Sequence, residues 1–168
     1  WWAPFAPDLK HLVYSLSKTF TSAAAGLAIS EGRFGLDDVM VDHFPELVPD
    51  DLDEKYRRYL VRHALSMSSG HESEALDRAA MASRDAGGDL LGGFFRVAPD
   101  REPGTVFAYS QPTIYGVGRL VAKTTGGTIL DYLRPRLLEP LGIDEAQWMM
   151  IGDVEMGFSG IHVFTESL

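Results

Sequence analysis

Ser15 and Lys18, in the run Ser15-Leu16-Ser17-Lys18, have residue types and a spacing suited to nucleophilic catalysis. A serine hydroxyl becomes an effective nucleophile when a nearby base removes its proton, and a lysine amine can be that base. Residues three apart on a helix lie on one face, so the two side chains would be neighbours. The partial positive charge at a helix N-terminus would also stabilise a developing oxyanion. The motif therefore predicts acyl transfer through a covalent intermediate on Ser15.

The same residues also allow a purely structural interpretation. Ser15 or Ser17 could cap the N-terminus of a helix while Lys18 is solvated. A Ser-x-x-Lys spacing is short enough to arise by chance, so it does not separate the two interpretations. The elements around the motif have to decide between them.

The segment after the motif has the pattern of a largely buried helix. Apolar residues recur at helical spacing at Phe20, Ala24, Leu27 and Ala28. The run of three alanines at 23–25 has high helix propensity, and Gly32 is a suitable C-terminal stop. The pattern predicts a helix over 17–31 with Ser15 at its N-terminal edge.

The rest of the chain is also predicted to be mainly helical. After a turn-rich segment over 34–50, helices are expected over 52–68, 74–97, 112–125 and 128–138. Gly87-Gly88 and Gly92-Gly93 are expected to interrupt the second of these, and Gly126-Gly127 to separate the last two. A short strand is expected in the tail after Trp148, where Ile161 and Val163 are β-branched.

Composition excludes several classes of function. The 168 residues carry a net charge of -9 and no basic stripe, which argues against a nucleic-acid partner. The absence of cysteine excludes disulfides, thiolate zinc sites and a cysteine nucleophile. No apolar run is long enough for a transmembrane segment. The N-terminus lacks the pattern of a signal peptide, which leaves the compartment open.

Other catalytic motifs are not matched. Ser159 has Gly157 before it but Ile161 after it, so it is not a Gly-x-Ser-x-Gly nucleophile. His71-Glu72 lacks the second histidine of a zinc helix. The acidic pairs Asp37-Asp38 and Asp50-Asp51 are expected in loops or caps, and the five histidines at the surface or in satisfied positions. We expect neither a metal ion nor an organic cofactor.

Several segments, in one order, resemble the serine β-lactamase and D,D-peptidase family, particularly its class C and esterase-like branch. The similar segments lie at 12–22, 31–38, 44–47, 61–71, 103–110, 126–132 and 139–143. The resemblance implies a serine hydrolase that forms an acyl-enzyme on an ester, amide or β-lactam carbonyl, with Ser15 as nucleophile and Lys18 as base. Tyr109, in Tyr109-Ser110-Gln111, inherits the role of proton relay. Gln111 stands where the family has an asparagine that holds the lysine and the substrate amide, and it is the expected substrate-binding residue.

The third motif of the family, a K-T-G or H-x-G triplet on an edge strand, is not found. Lys123-Thr124-Thr125-Gly126 lies too close after Tyr109, and Gly126 is interpreted there as a helix stop. In the family this strand supplies one oxyanion-hole amide, and the amide of the nucleophile supplies the other. Losing one such donor costs about 3 kcal/mol of transition-state stabilisation. We therefore expect the chain alone to be a poor or inactive catalyst.

The resemblance implies an antiparallel sheet flanked by helices and joined to a helical domain. This chain is predicted to be mainly α, comprising the helical domain plus the nucleophile helix of the β-lactamase/transpeptidase-like α/β fold, with most of the sheet outside it. Residues 1–168 are interpreted as one domain, and as a fragment lacking N-terminal and C-terminal strands. The expected partners are a small-molecule carbonyl substrate and the missing segments that complete the sheet. Two alternatives stay open: a non-catalytic relative that binds peptide or cell-wall ligands, and a helical interaction module.

Overall fold

The helix that begins within the Ser15–Lys18 motif packs against the other long helix of the chain. The computed structural model describes residues 2–167. A short strand β1 (His11–Leu12) leads into a 3-10 turn (Tyr14–Leu16) and then into helix α1 (Ser17–Ser30). The buried face of α1 consists mainly of small side chains, which let α1 pack closely against helix α5 (Gln111–Thr125). The predicted helix over 17–31 is confirmed.

The two helices predicted around Gly126-Gly127 are also confirmed. Helix α5 (Gln111–Thr125) ends at Gly126, which has the left-handed conformation that glycine adopts without strain (φ 81°). Helix α6 (Ile129–Leu133) starts at Thr128, whose side chain caps it by accepting from the amide of Asp131. It continues as a π-helical turn (Arg134–Leu138), where Pro135 has no amide to donate.

The predicted helix over 52–68 is wrong. The segment forms a 3-10 turn (Glu54–Arg58) and a short helix α2 (Val61–Leu65), separated by extended residues. The break arises because Leu60 forms a β-bridge with Val39 and the amide of Met40 donates to Tyr59 O at 2.8 Å. The side chain of Tyr59 is fully buried at this point. Tertiary pairing with the preceding segment therefore overrides the helical pattern.

The predicted helix over 74–97 is broken once rather than twice. Helix α3 (Leu76–Ala82) and a 3-10 turn (Ser83–Ala86) end at Gly87, and helix α4 (Leu90–Phe94) follows. Gly92-Gly93 does not interrupt the chain but lies within α4, so that part of the prediction is wrong. A Cβ atom on Gly93 would lie 2.1 Å from Ala79 O, so the glycine permits the close packing of α4 on α3.

The strands that the structure describes are short and form two small sheets. Strand β5 (Ile161–Val163) lies between β1 and β2 (Gln147–Trp148) in an antiparallel sheet, and β3 (Met150–Ile151) pairs with β4 (Val154–Glu155). The strand expected after Trp148 is thus confirmed, as is the mainly helical fold class. Within residues 2–167, none of the helices has the length and apolarity needed to cross a bilayer.

Candidate active site

Ser15 is exposed in the turn that precedes α1. Tyr14 adopts a left-handed conformation (φ 46°), uncommon for a tyrosine, and so turns the chain sharply before Ser15. The buried hydroxyl of Ser17 holds this turn by donating to Tyr14 O at 2.5 Å. The amide of Ile161 donates to the same hydroxyl at 3.1 Å, which ties the turn to strand β5. The position expected for Ser15, at the N-terminal edge of the helix, is confirmed.

Lys18 contacts Ser15 and a distant loop. Its Nζ donates to Ser15 Oγ at 3.1 Å and to Phe158 O at 2.7 Å. The same nitrogen lies 4.8 Å from the centroid of the Tyr109 ring. One turn along the helix, the buried hydroxyl of Thr21 donates to Gly157 O at 2.7 Å, so the loop is fixed to α1 at two points. Lys18 is therefore held at the serine and is not a freely solvated side chain.

Tyr109 reaches the same serine from another part of the chain. Exposure alternates along the extended segment before α5. The side chains of Phe107 and Tyr109 are exposed, whereas Ala108 and Ser110 are buried. Met67 fixes this segment, because its carbonyl accepts from the amide of Ala108 at 3.1 Å and its Sδ accepts from that of Ser110 at 3.4 Å. The Tyr109 hydroxyl donates to Ser15 Oγ at 2.7 Å across a sequence separation of 94 residues.

The electrostatics of the site favour ionisation of Tyr109. Its interaction with the Lys18 ammonium, followed by that with the Ser15 hydroxyl, lowers the pKa of the phenol from its ordinary value of 10.0. Desolvation and the negative charge of Glu74 oppose this shift but do not cancel it. Tyr109 thus loses its proton more readily than a solvated tyrosine and is better suited to accept one.

Gln111 is placed differently from the other three predicted residues. It is the first residue of α5, and its backbone amide donates to both carboxylate oxygens of Glu74, at 3.3 and 3.2 Å. In the part of the chain that the structure describes, its side-chain amide makes no hydrogen bond. The structure brings Ser15, Lys18 and Tyr109 together, whereas Gln111 is joined to them only through the chain. Its role in substrate binding stays a prediction.

Sequence reasoning missed three contributors to this arrangement. Phe158 acts through a backbone carbonyl, which no side-chain motif can indicate. From the sequence, Ser17 is predicted only as a cap, although its helical spacing to Phe20 and Ala24 places it on the apolar face of α1. Glu74 carries a recognisable signal, because an acidic residue just before a helix commonly accepts from the first helical amides.

The Lys123–Gly126 segment, which resembles a K-T-G motif in sequence, has a structural role. Lys123 Nζ donates to His43 O at 2.6 Å and to Glu46 Oε1 at 2.8 Å, so it ties α5 to a loop. Gly126 ends the helix as expected, and Lys123-Thr124-Thr125-Gly126 is not an edge strand. Among residues 2–167 there is no cluster of three or more histidine or acidic residues able to hold a metal ion.

Comparison with known proteins places this geometry in a family context. A family model described as Beta-lactamase matches residues 1–149. A lovastatin esterase from Penicillium rubens is 29% identical over 153 residues, which cover 80% of this chain and 38% of the relative. A β-lactamase from Pseudomonas fluorescens is 28% identical over 141 residues, covering 83% of this chain and 37% of the relative.

A solved structure agrees at the level of the fold. The octameric penicillin-binding protein homologue from Pyrococcus abyssi superposes with a TM-score of 0.70 at 22% identity, over 96% of this chain and 44% of that one. The chain thus has part of the fold of a penicillin-binding protein homologue and spans less than half the length of the relatives it matches. Because the family model covers all but the last 19 residues (168 minus 149), this chain belongs to the beta-lactamase family.

Proposed function

We propose that this chain provides the nucleophile centre of a serine hydrolase, with Ser15 as the covalent catalyst. The observation that carries the proposal is the convergence of two proton-transfer groups on one hydroxyl. Lys18 Nζ lies 3.1 Å and the Tyr109 hydroxyl 2.7 Å from Ser15 Oγ. Both distances are within the hydrogen-bond reach that proton transfer needs. A helix cap requires neither contact, so this convergence also argues against a purely structural Ser15.

The proposed first step is acylation of Ser15. As Oγ bonds to the substrate carbonyl carbon, its proton passes to the Tyr109 phenolate, and the carbonyl oxygen takes up the negative charge. The tetrahedral intermediate collapses as the leaving group departs with a proton returned by Tyr109. Lys18, which the resemblance implies as the base, instead lies beside the reacting oxygen and the Tyr109 ring and stabilises the phenolate and the developing negative charge on Oγ.

The second step releases the product. Water attacks the acyl carbonyl, and the same phenolate accepts its proton; the proton then returns to Ser15 Oγ as the carboxylic acid leaves. In each step the proton accepted by Tyr109 is given back, so the enzyme is regenerated. A lowered pKa suits a group that must both accept and donate near neutral pH.

Of the two amides expected to form the oxyanion hole, we assign one to this chain and place the other outside it. We assign the Ser15 amide to the substrate carbonyl oxygen, since it belongs to the nucleophile itself. The sequence has no K-T-G or H-x-G triplet to supply the other amide. Because the chain spans 38% of the lovastatin esterase it resembles, we place that donor in a segment that completes the sheet. The chain alone is then expected to acylate slowly.

The substrate class proposed is a small molecule with a reactive carbonyl, namely an ester, an amide or a β-lactam. The relatives include both an esterase and β-lactamases, which supports this range without narrowing it. Gln111 replaces the expected asparagine, and its side chain forms no hydrogen bond within residues 2–167. Of the three classes, we expect activated esters to react most readily, since they depend least on recognition of an amide.

A burst experiment with p-nitrophenyl acetate and nitrocefin tests the proposal. Because both acylation and deacylation lack the second oxyanion donor, we expect p-nitrophenol to be released slowly toward one equivalent per chain, followed by still slower turnover. Ser15→Ala should abolish the burst. Ser30→Ala should retain it, because Ser30 is exposed at the opposite end of α1 and bonds only to Leu27 O. Equal hydrolysis by wild type and Ser15→Ala would instead favour a non-catalytic relative or a helical interaction module.

A further inference from the structure

Glu74 joins the starts of two helices next to the candidate site. Its Oε1 accepts from the amides of Ala75 at 2.9 Å and Leu76 at 3.0 Å, at the beginning of α3. Both of its oxygens accept from the amide of Gln111, at 3.3 and 3.2 Å, at the beginning of α5. The first amides of a helix have no partner within the helix, and a carboxylate is the acceptor that suits them best.

The carboxylate has no competing partner. Within residues 2–167, Glu74 takes part in none of the ion pairs, although other acidic residues of this region do; Glu72, for instance, pairs with Arg101 at 2.6 Å. Its carboxylate therefore bonds to backbone amides alone among these residues. The amide of Gln111, two residues after Tyr109, is one of them.

Two charged side chains, from different segments of the chain, influence Tyr109. Lys18 projects from α1, with Nζ 4.8 Å from the centroid of the ring. Glu74 approaches from the segment before α3, and it disfavours the phenolate that Lys18 favours. The remaining polar contact is the Ser15 hydroxyl, which accepts from Tyr109 at 2.7 Å. Lys18 and the Ser15 hydroxyl thus favour the phenolate, whereas desolvation and, more weakly, Glu74 disfavour it.

We propose that Glu74 is a positioning residue, which holds the first turn of α5 so that Tyr109 stays on Ser15 and whose charge weakly opposes that of Lys18 at the phenol. This inference rests on the proposed function in that Tyr109 is taken as the proton relay. The anchoring acts through the Gln111 amide, and the charge acts through space. The two effects can be measured separately, and neither measurement needs enzymatic turnover.

The charge effect is tested by titrating Tyr109 in protein labelled with 13Cζ-tyrosine, its resonance identified by its loss in Tyr109→Phe. Glu74→Gln removes the charge and keeps the shape of the side chain. We expect the midpoint of Tyr109 to fall, because an anion that disfavours the phenolate has been removed. Asp77→Asn is the matched control: it removes the same charge from an exposed residue in the first turn of α3. Equal midpoints in Glu74→Gln and Asp77→Asn would overturn the proposal.

The anchoring is tested by amide hydrogen exchange at Gln111. Glu74→Ala should speed this exchange about tenfold, the ratio that corresponds to losing one hydrogen bond to a charged acceptor. Asp77→Asn should leave the rate unchanged, and an unchanged rate in Glu74→Ala would contradict the anchoring role. A failure of the proposed function would appear separately, as absence of a p-nitrophenol burst in the wild type, while both Glu74 measurements kept their outcome.

Discussion

At the scale of single residues, the site depends on the contacts made by one oxygen atom. Ser15 Oγ accepts from Lys18 and from Tyr109, which are 3 and 94 residues away in the sequence. The Ser15–Lys18 contact follows from helical spacing and could be predicted from the sequence alone. The contact with Tyr109 depends on how the whole chain folds, and it was expected only through the family resemblance.

The hydroxyl of Tyr109 is predicted to be essential for acylation and irrelevant to stability. Tyr109→Phe removes the proton relay while keeping the ring, so the rate of p-nitrophenol release in the burst should fall about 10²- to 10⁴-fold. Tyr14→Phe is the control, since it deletes the hydroxyl of an exposed tyrosine next to Ser15 in the sequence. A similar loss in both variants would show that Tyr109 has no special role.

The pH dependence of acylation should report the interaction between Lys18 and Tyr109. If the phenolate accepts the proton, the rate rises with pH through the pKa of Tyr109, which lies below its ordinary 10.0. Lys18→Met removes the ammonium that is the main cause of the lowered pKa, so the rising limb should move to higher pH. The measurement is the burst rate from pH 6 to pH 10, over about the range in which a perturbed tyrosine titrates. A limb that moved to lower pH would contradict the account.

At the scale of elements, the site is held by hydrogen bonds between α1 and the loop and strand at 157–161. Ser17 and Lys18 provide two of these contacts, and Thr21 provides a third. All three side chains lie within the first two turns of α1. The helix therefore holds the turn that contains Ser15 and also binds the segment that faces it.

Loss of the Ser17 hydroxyl is predicted to destabilise the protein. Ser17→Ala leaves the Ile161 amide without its acceptor in a buried position, which costs about 1–3 kcal/mol. Urea unfolding followed by circular dichroism measures this change. Ser30→Ala, at the exposed end of the same helix, should change the free energy of unfolding by no more than about 0.5 kcal/mol. Equal effects would mean that the Ser17 contact contributes nothing.

Two glycines in helices are predicted to respond oppositely to alanine. Gly93→Ala would place a Cβ 2.1 Å from the backbone oxygen of Ala79, so it should destabilise the protein by about 1–3 kcal/mol or more. Gly26, in α1, has no atom within 4 Å of such a Cβ, and Gly26→Ala should stabilise by up to about 1 kcal/mol. Thermal unfolding of both variants provides the comparison. Stabilisation by Gly93→Ala would contradict the packing of α3 on α4.

The elements differ in how well the sequence predicts them. Helix α1 and helix α5 are long, have a buried face and end at glycines, so local pattern and final structure agree. The segment 52–68 has a helical pattern as well, but pairing of Leu60 with Val39 breaks it, and that pairing cannot be read from local spacing. Gly92-Gly93 was misread for a related reason, because its packing partner lies on another helix.

At the scale of the whole molecule, the chain carries the helices and a small sheet of a larger fold. It covers 35% to 38% of three curated relatives, including a β-lactamase from Escherichia coli. Three of the four predicted site residues meet within this portion, whereas the side chain of Gln111 does not bond to them. The catalytic and substrate-binding roles of all four stay predictions, while the contacts of Glu74 and of the Phe158 carbonyl emerged only from the tertiary structure.

The most direct test of the central claim is to locate a covalent adduct. The chain is treated with a fluorophosphonate probe and digested, and the modified peptide is sequenced by tandem mass spectrometry. The account predicts one adduct, on Ser15, that disappears in Ser15→Ala and persists in Ser30→Ala. An adduct on another serine, or labelling of Ser15→Ala as fast as the wild type, would contradict the assignment of Ser15 as the nucleophile.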